Sequence, residues 1–442
     1  MAQYNKVLQD FLSSNKSLYE VNMLSNDSGS VISPTDPLPV SIHAAPFGGA
    51  DVTSKNRLKI SPYQIAFFNT FQFSKDDDLW DEELTTNATS IHNNNTNTIE
   101  MTATTDQGSK VVRQTKTVAR YIPGRTSTLT QSIRLGDADP GYRKRIGLFD
   151  ENNGFFFEVD NAAYSVVVRS SVTGSVVEQR VSRDDWNGDK LDGTGPSGII
   201  ADVTYHQLLS FEYEWYGAGQ VKVGFSINGI THYIHTFNHA NVISLPWSST
   251  PFLPQRFELE NLTGGQENPS RLYQGSNSII TEGTTERLGT PESYLTPLAG
   301  TGMTTANVFY PVLSLRLKST ALKGIVLPYS FQCATIDNTT LYYKIIRNAT
   351  LTGGTWSDHP DPNSFTQVHT YSGDASPIGG GSNLTSGIVP TGSGSSVVFD
   401  GSTSYQIGRN TLGTVSDTFT LAVAASGSNK SAIASMNWVE QR

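Results

Sequence analysis

Two pairs of residues in this sequence have the types and spacing for acid–base chemistry. Glu158 and Asp160, in GFFFEVDNAA, stand two positions apart, so an extended strand would put both carboxylates on one face. Sandwich-type glycosidases work with an acid and a nucleophile arranged in this way. A lectin-like endoglucanase needs a further glutamate two or three residues on, but Ala162 and Ala163 stand there. The pair therefore reads as surface-strand carboxylates. Glu212 and Glu214 repeat the spacing opposite Phe211, Tyr213 and Trp215, the pattern of a one-sided sheet whose acids face water.

Metal chemistry has three candidates. His232, His235 and His239 crowd into THYIHTFNH, yet on a strand His232 and His235 point to opposite faces, so surface or interface histidines are expected rather than a zinc site. Asp185, Asn187, Asp189 and Asp192 offer oxygen ligands at alternate positions for calcium. The helix-hand loop, however, wants Gly sixth and Glu twelfth, where Lys190 and Pro196 stand. A hydrogen-bonded loop stapled by Trp186 is the expectation there, because Asp and Asn readily bond their own backbone. The third candidate is the acidic run Asp76, Asp77, Asp78, Asp81, Glu82 and Glu83. No phosphate-binding glycine loop, nucleophile elbow or Ser-His-Asp context is present. No catalytic residue, cofactor-binding residue, metal ligand or cofactor is predicted.

The elements that must position these residues are strands. Charged residues make up 16% of the 442, against about 25% in ordinary soluble proteins. Gly, Ser, Thr and Asn separate short β-branched and aromatic runs. Phe211, Tyr213 and Trp215 share one strand face, and Val221, Val223, Phe225 and Ile227 share the next. Asn228-Gly229 then supplies the positive φ that a two-residue hairpin needs. Phe155, Phe157 and Val159 point one way, Phe156, Glu158 and Asp160 the other, with DENNG as the turn before them.

The expected organisation is an N-terminal helix and extended arm over 1–41, a jelly-roll-like β-sandwich over 42–262, a long loop over 263–304 and a smaller β domain over 305–442. Tyr4, Val7, Leu8, Phe11 and Leu12 carry the helical spacing of the arm. The formal net charge of −9, without a basic stripe, argues against nucleic acid and anionic membrane as partners. No stretch reaches eighteen apolar residues and no secretion signal opens the chain, so synthesis in the cytoplasm without membrane insertion is expected. The single cysteine, Cys333, reads as a buried, inert thiol.

RYIPGR (120–125), KRIGLFDENNGFFFE (144–158), DWNGDKLDGTGPSG (185–198), EYEWYGAGQVKVGFSINGI and NATLTGGTW (348–356) together resemble a family of virion structural proteins. Its members occur in tailed phages, notably those of cyanobacteria and marine bacteria, and in some large viruses. The resemblance spans roughly residues 100–440. It implies a component of an assembled particle, located in the virion, and brings no catalytic residues with it. The expected role is a non-enzymatic, fibre-like tail, baseplate or neck appendage, attached to other virion proteins by the N-terminal arm and assembled as a homo-oligomer, with a trimer the usual form of such fibres. The alternatives are a head decoration protein and an adhesin binding host surface glycans through Trp186, Trp215 or Trp247. The strand order also looks like the lectin and glucanase jelly roll, an architectural likeness that does not establish sugar binding.

Overall fold

Phe155, Phe157 and Val159 alternate with Phe156 and Glu158 because the residues from Gly154 to Asp160 form a strand, and this alternation organises the first of two stacked β-sandwiches. The computed structural model describes residues 62–441, except 137–138, 285–288, 336, 372–374, 392–393 and 399–404. The expected helical arm over 1–41 lies outside the described residues. Among these the fold is all-β, with one short 3₁₀ turn at Arg183–Asp185. All strand pairs are antiparallel.

One sheet of the first sandwich runs Ile230–Phe237, Val221–Ile227, Gln207–Tyr213, Ser127–Arg134, Ser270–Glu282, Thr98–Ala103 and Thr89–Asn93; Tyr63–Asn69 also pairs with Ser270–Glu282. The facing sheet runs Val177–Ser182, Ala163–Ser170, Gly154–Asp160, Tyr142–Phe149, Gln255–Asn261, Lys110–Thr115 and Trp80–Thr85. Between them Phe155 meets Phe211, Tyr213 and Trp247 at ring distances of 5.3, 5.0 and 6.0 Å. Phe157 meets Phe225 edge-on at 5.4 Å. The Asn228-Gly229 hairpin forms as read, with φ of 53° and 79°.

The second sandwich stacks a five-stranded sheet on a six-stranded one around Leu315, Phe331, Val368, Leu421, Met436 and Trp438. Cys333 is buried in this core, and desolvation pushes its thiol up to about 12.

The segment 263–304 is not the structureless loop its composition suggests. It contains Ser270–Glu282 in the middle of the larger sheet, and Thr290–Leu295 and Thr301–Met303, which both pair with Lys430–Gln441 in the second sandwich. The inward positions of Ser270–Glu282 include Ser270, Gln274, Asn277 and Thr281, and an irregularity between Gln274 and Asn277 shifts the register. Polar side chains at buried positions and a break in the alternation together hide a period of two. Gln274 is there for a partner: its Oε1 accepts a 2.9 Å bond from Nε of Arg113, a fully buried guanidinium packed over Phe71 and Trp80.

Residues 62–442 belong to one compact unit, and the acidic run helps bind its two sandwiches together. Asp81 Oδ2 accepts from the Thr411 amide and hydroxyl at 2.6 and 2.7 Å. The Asp78 carboxylate accepts from Ser382 at 2.7 Å, and its carbonyl accepts from Arg347 at 2.6 Å. Glu82 turns inward to Lys75 and Arg113. Val118 packs with Ile325 and Leu327 beside these ties. Replacing Phe155 by Ala removes the ring that joins both sheets of the first sandwich, and urea unfolding should show a loss of about 3–5 kcal/mol.

Candidate functional site

The outer face of the smaller sheet carries the carboxylates read as an acid pair, and the structure corrects their assignment to the solvated surface. Glu158 is 0% exposed. Its Oε2 accepts from Arg145 Nε at 2.7 Å and its Oε1 from Arg180 Nε at 2.6 Å. The ladder continues along the face. Glu178 accepts from Arg169 at 2.8 Å and from Arg180 at 2.7 Å, and Glu258 accepts from Arg256 Nε at 2.7 Å. Arg256 also holds Glu151. These residues converge because Arg145, Glu158, Arg169, Glu178 and Glu258 occupy outward positions on neighbouring strands, register pairing Arg145 with both Glu158 and Glu258.

Phe149, Phe156 and Val167 form a small apolar floor under the charges. Arg145 and Arg169 lie 5.1 and 5.0 Å from the Phe156 ring centre, and Arg256 5.6 Å from that of Phe149. Burial alone would raise the Glu258 carboxyl, but Arg256, Lys110, Arg145 and Arg169 outweigh it and hold the group at about 2. Glu178 is lowered in the same way against its own desolvation, by Arg169, Arg145 and Arg180.

This arrangement cannot do the chemistry that the Glu158 and Asp160 spacing suggests. Glu158 is fully buried with guanidinium groups on both oxygens, so no substrate atom can reach it to be protonated or attacked. Asp160 bonds Asn161 beside it at 2.9 Å.

DENNG, before this strand, is more than a turn. Asp150 Oδ1 accepts from the amides of Asn152 and Asn153 at 2.8 and 2.9 Å, which closes the turn. Its Oδ2 faces Arg409 at 3.6 Å and Lys323 at 3.8 Å, both from the second sandwich. Asn153, fully buried, accepts from Ser171 and Ser249 amides at 3.2 and 3.0 Å.

The other candidates are likewise structural. Asp189 accepts from the Leu191 and Ser197 amides at 2.9 and 2.8 Å, and Asp192 from Thr194. Asn187 exchanges two bonds with the Thr236 backbone at 2.9 and 2.8 Å, and Trp186 is buried beneath the loop as its staple. The histidines are not the surface residues expected: His235 and His239 are buried, and His232 is half-buried. Among the described residues no group of three or more His, Cys, Asp or Glu is placed to hold a metal ion. Trp186 and Trp247 are core residues and Trp215 packs against the same core, so none is the exposed platform considered from sequence.

No protein-family model and no curated protein matches the chain. Among solved structures it is similar to a glycoside hydrolase family 16 endo-glucanase from Bacteroides ovatus, with 12% identity, TM-score 0.32, and coverage of 49% of this chain and 100% of that one. It is also similar to a pseudo β-1,3-glucanase of Mycobacterium tuberculosis, with 12% identity, TM-score 0.33, and coverage of 50% and 99%. A third is a legume lectin-like domain from Entamoeba histolytica, with 11% identity, TM-score 0.30, and coverage of 48% and 96%.

The residues that sequence reading missed are the arginines. Glu178 and Arg180, opposite charges two apart on a strand, were the available signal, as was Arg145 in the basic run Arg143, Lys144 and Arg145. Glu158→Ala should destabilise by about 3–5 kcal/mol, because buried guanidinium loses its counter-charge. A double replacement, Arg145→Met with Glu158→Leu, should recover at least half of that loss in urea unfolding. The carboxyls of Glu258 and Glu178 lie below their ordinary values when folded. Their contribution is therefore complete above the unfolded value of about 4.3 and is lost as pH falls from there toward the folded values. The thermal midpoint should drop steeply below about pH 4.3, and less so in Glu258→Gln.

Proposed function

We propose that the protein is a non-enzymatic structural component of a tailed-phage particle, a rigid pair of β-sandwiches carried as a peripheral tail, baseplate or neck appendage. The observation that carries the non-enzymatic half is Glu158, fully buried between Arg145 and Arg180. A face that could have formed a catalytic cleft is occupied by the protein's own cations. The ties from Asp78, Asp81 and Asp150 support a building-block role, because they hold the two sandwiches at a fixed setting through backbone, hydroxyl and guanidinium contacts. The particle setting rests on the GLFDENNGFFFE and WNGDKLDGTGPSG signatures and their resemblance to virion structural proteins.

In this reading the segment 1–41 is the attachment element and the sandwiches project as a homo-oligomer. Immunogold electron microscopy of intact particles with antibody against the second sandwich should label tail, baseplate or neck. Label spread over the head would replace the appendage by a decoration protein, and absence from purified particles would overturn the virion role. A chain lacking residues 1–41 should stay folded yet fail to incorporate; normal incorporation would remove the arm as anchor.

A further inference from the structure

The outer face of the larger sheet carries a cleft that the sequence reading passed over. Its volume is about 420 Å³, and its lining includes Thr126, Glu212, Glu214, Tyr216, Gln220 and Lys222. The alternation that buries Phe211 and Tyr213 turns Glu212 and Glu214 outward. Glu212 is engaged, accepting from Lys222 at 3.0 Å and from the Tyr233 hydroxyl at 2.5 Å. Glu214, half-buried, accepts the Thr126 hydroxyl at 2.8 Å. A carboxylate has about four acceptor sites, so Glu214 keeps capacity toward the cleft.

Tyr216 is the unusual member. It is 57% exposed, yet its backbone is held at a φ of +37°, a left-handed conformation that a bulky residue adopts only when its surroundings impose it. Those surroundings are identifiable. Its amide donates to the Tyr121 hydroxyl at 3.3 Å, and the two rings meet edge-on at 6.3 Å. Its own hydroxyl lies over Gly124, where a Cβ would come within 3.2 Å. Behind it, the Gly217 carbonyl accepts from Trp247 at 2.9 Å, and the Gly219 amide donates to Trp215 at 2.8 Å. RYIPGR and EWYGAG thus cooperate to fix an exposed aromatic ring at the edge of the cleft.

The polar groups around that ring alternate in sense. Glu214 accepts. Lys222 has three N–H donors, one of them on Glu212. Gln220 donates its amide nitrogen to Asn238 at 2.7 Å, leaving its carbonyl as an acceptor. Lys222 offsets Glu212 and leaves one net negative charge, on Glu214, so an anion is repelled. A neutral polyhydroxyl fits both sets, because each hydroxyl donates and accepts, while its C–H face lies on the tyrosine ring.

We infer that this cleft binds a short segment of a neutral oligosaccharide, with Tyr216 as the stacking platform and Glu214, Gln220 and Lys222 addressing the hydroxyls. The inference goes beyond the structural role and does not depend on it, since a particle component can incorporate with or without the site.

The test is saturation-transfer NMR on the full chain with neutral tetrasaccharides of glucose, mannose and N-acetylglucosamine, each at millimolar concentration. At least one should receive saturation. Tyr216→Ala and Glu214→Gln should each weaken that binding about tenfold, which corresponds to about 1.4 kcal/mol. Tyr216→Phe should retain it, which separates loss of the ring from loss of the fold. No transfer to any of the sugars would overturn the inference, as would transfer unchanged in both weakened variants. Binding of a lysine-rich peptide in place of the sugars would also overturn it, and would assign the cleft to a basic protein partner. Immunogold labelling is indifferent to all these outcomes, so failure here leaves the particle role standing.

Discussion

The constraint on which the first sandwich depends is that the central strands of its smaller sheet bury both faces, one with aromatic side chains and the other with charge. An ion taken out of water costs several kcal/mol unless its partners are close and its remaining hydrogen-bonding capacity is used. Glu158 meets that condition with two guanidinium groups on separate oxygens, and Glu178 bridges Arg169 and Arg180. The Phe149 and Phe156 rings supply a floor 5.0 to 5.5 Å from the guanidinium carbons of Arg145 and Arg169. Lysine is not equivalent here, because a point charge does not fork between carboxylates.

The same constraint reaches the second sandwich. Arg256 links Glu258 to Glu151, and the adjacent Asp150 faces Arg409 and Lys323. Asp150 therefore serves two scales at once, closing a local turn with one oxygen and spanning between sandwiches with the other. The acidic residues near Asp78 act similarly at a second point of contact. Turn chemistry and assembly chemistry are carried by the same side chains, which explains why Asp and Asn gather in stretches that look like sites.

Local patterns were legible and distant partners were not. The Asn228-Gly229 hairpin, the alternation of Phe155, Phe157 and Val159, the Trp186 staple and the burial of Cys333 follow from neighbours a few residues away. Glu158 was misplaced at the surface because its environment comes from Arg180, 22 residues away, and from strands paired across the sheet. Ser270–Glu282 was missed for a related reason: its buried Gln274 and Asn277 look like loop residues until Arg113, 161 positions from Gln274, is brought beside it. Tyr216 gave no signal because exposure combined with a positive φ is a property of the folded chain.

The central claim is that the outer face of the smaller sheet is an ionised charge ladder, buried at its centre. It is tested most directly by ¹³C NMR titration of the side-chain carboxyls in protein labelled at glutamate, with the Glu258 resonance assigned from Glu258→Gln. The account predicts that Glu258 stays ionised until about pH 2 or until the protein unfolds, whichever comes first. Titration of Glu258 near the ordinary value of about 4.3 in the folded protein would show an open, hydrated face and contradict it.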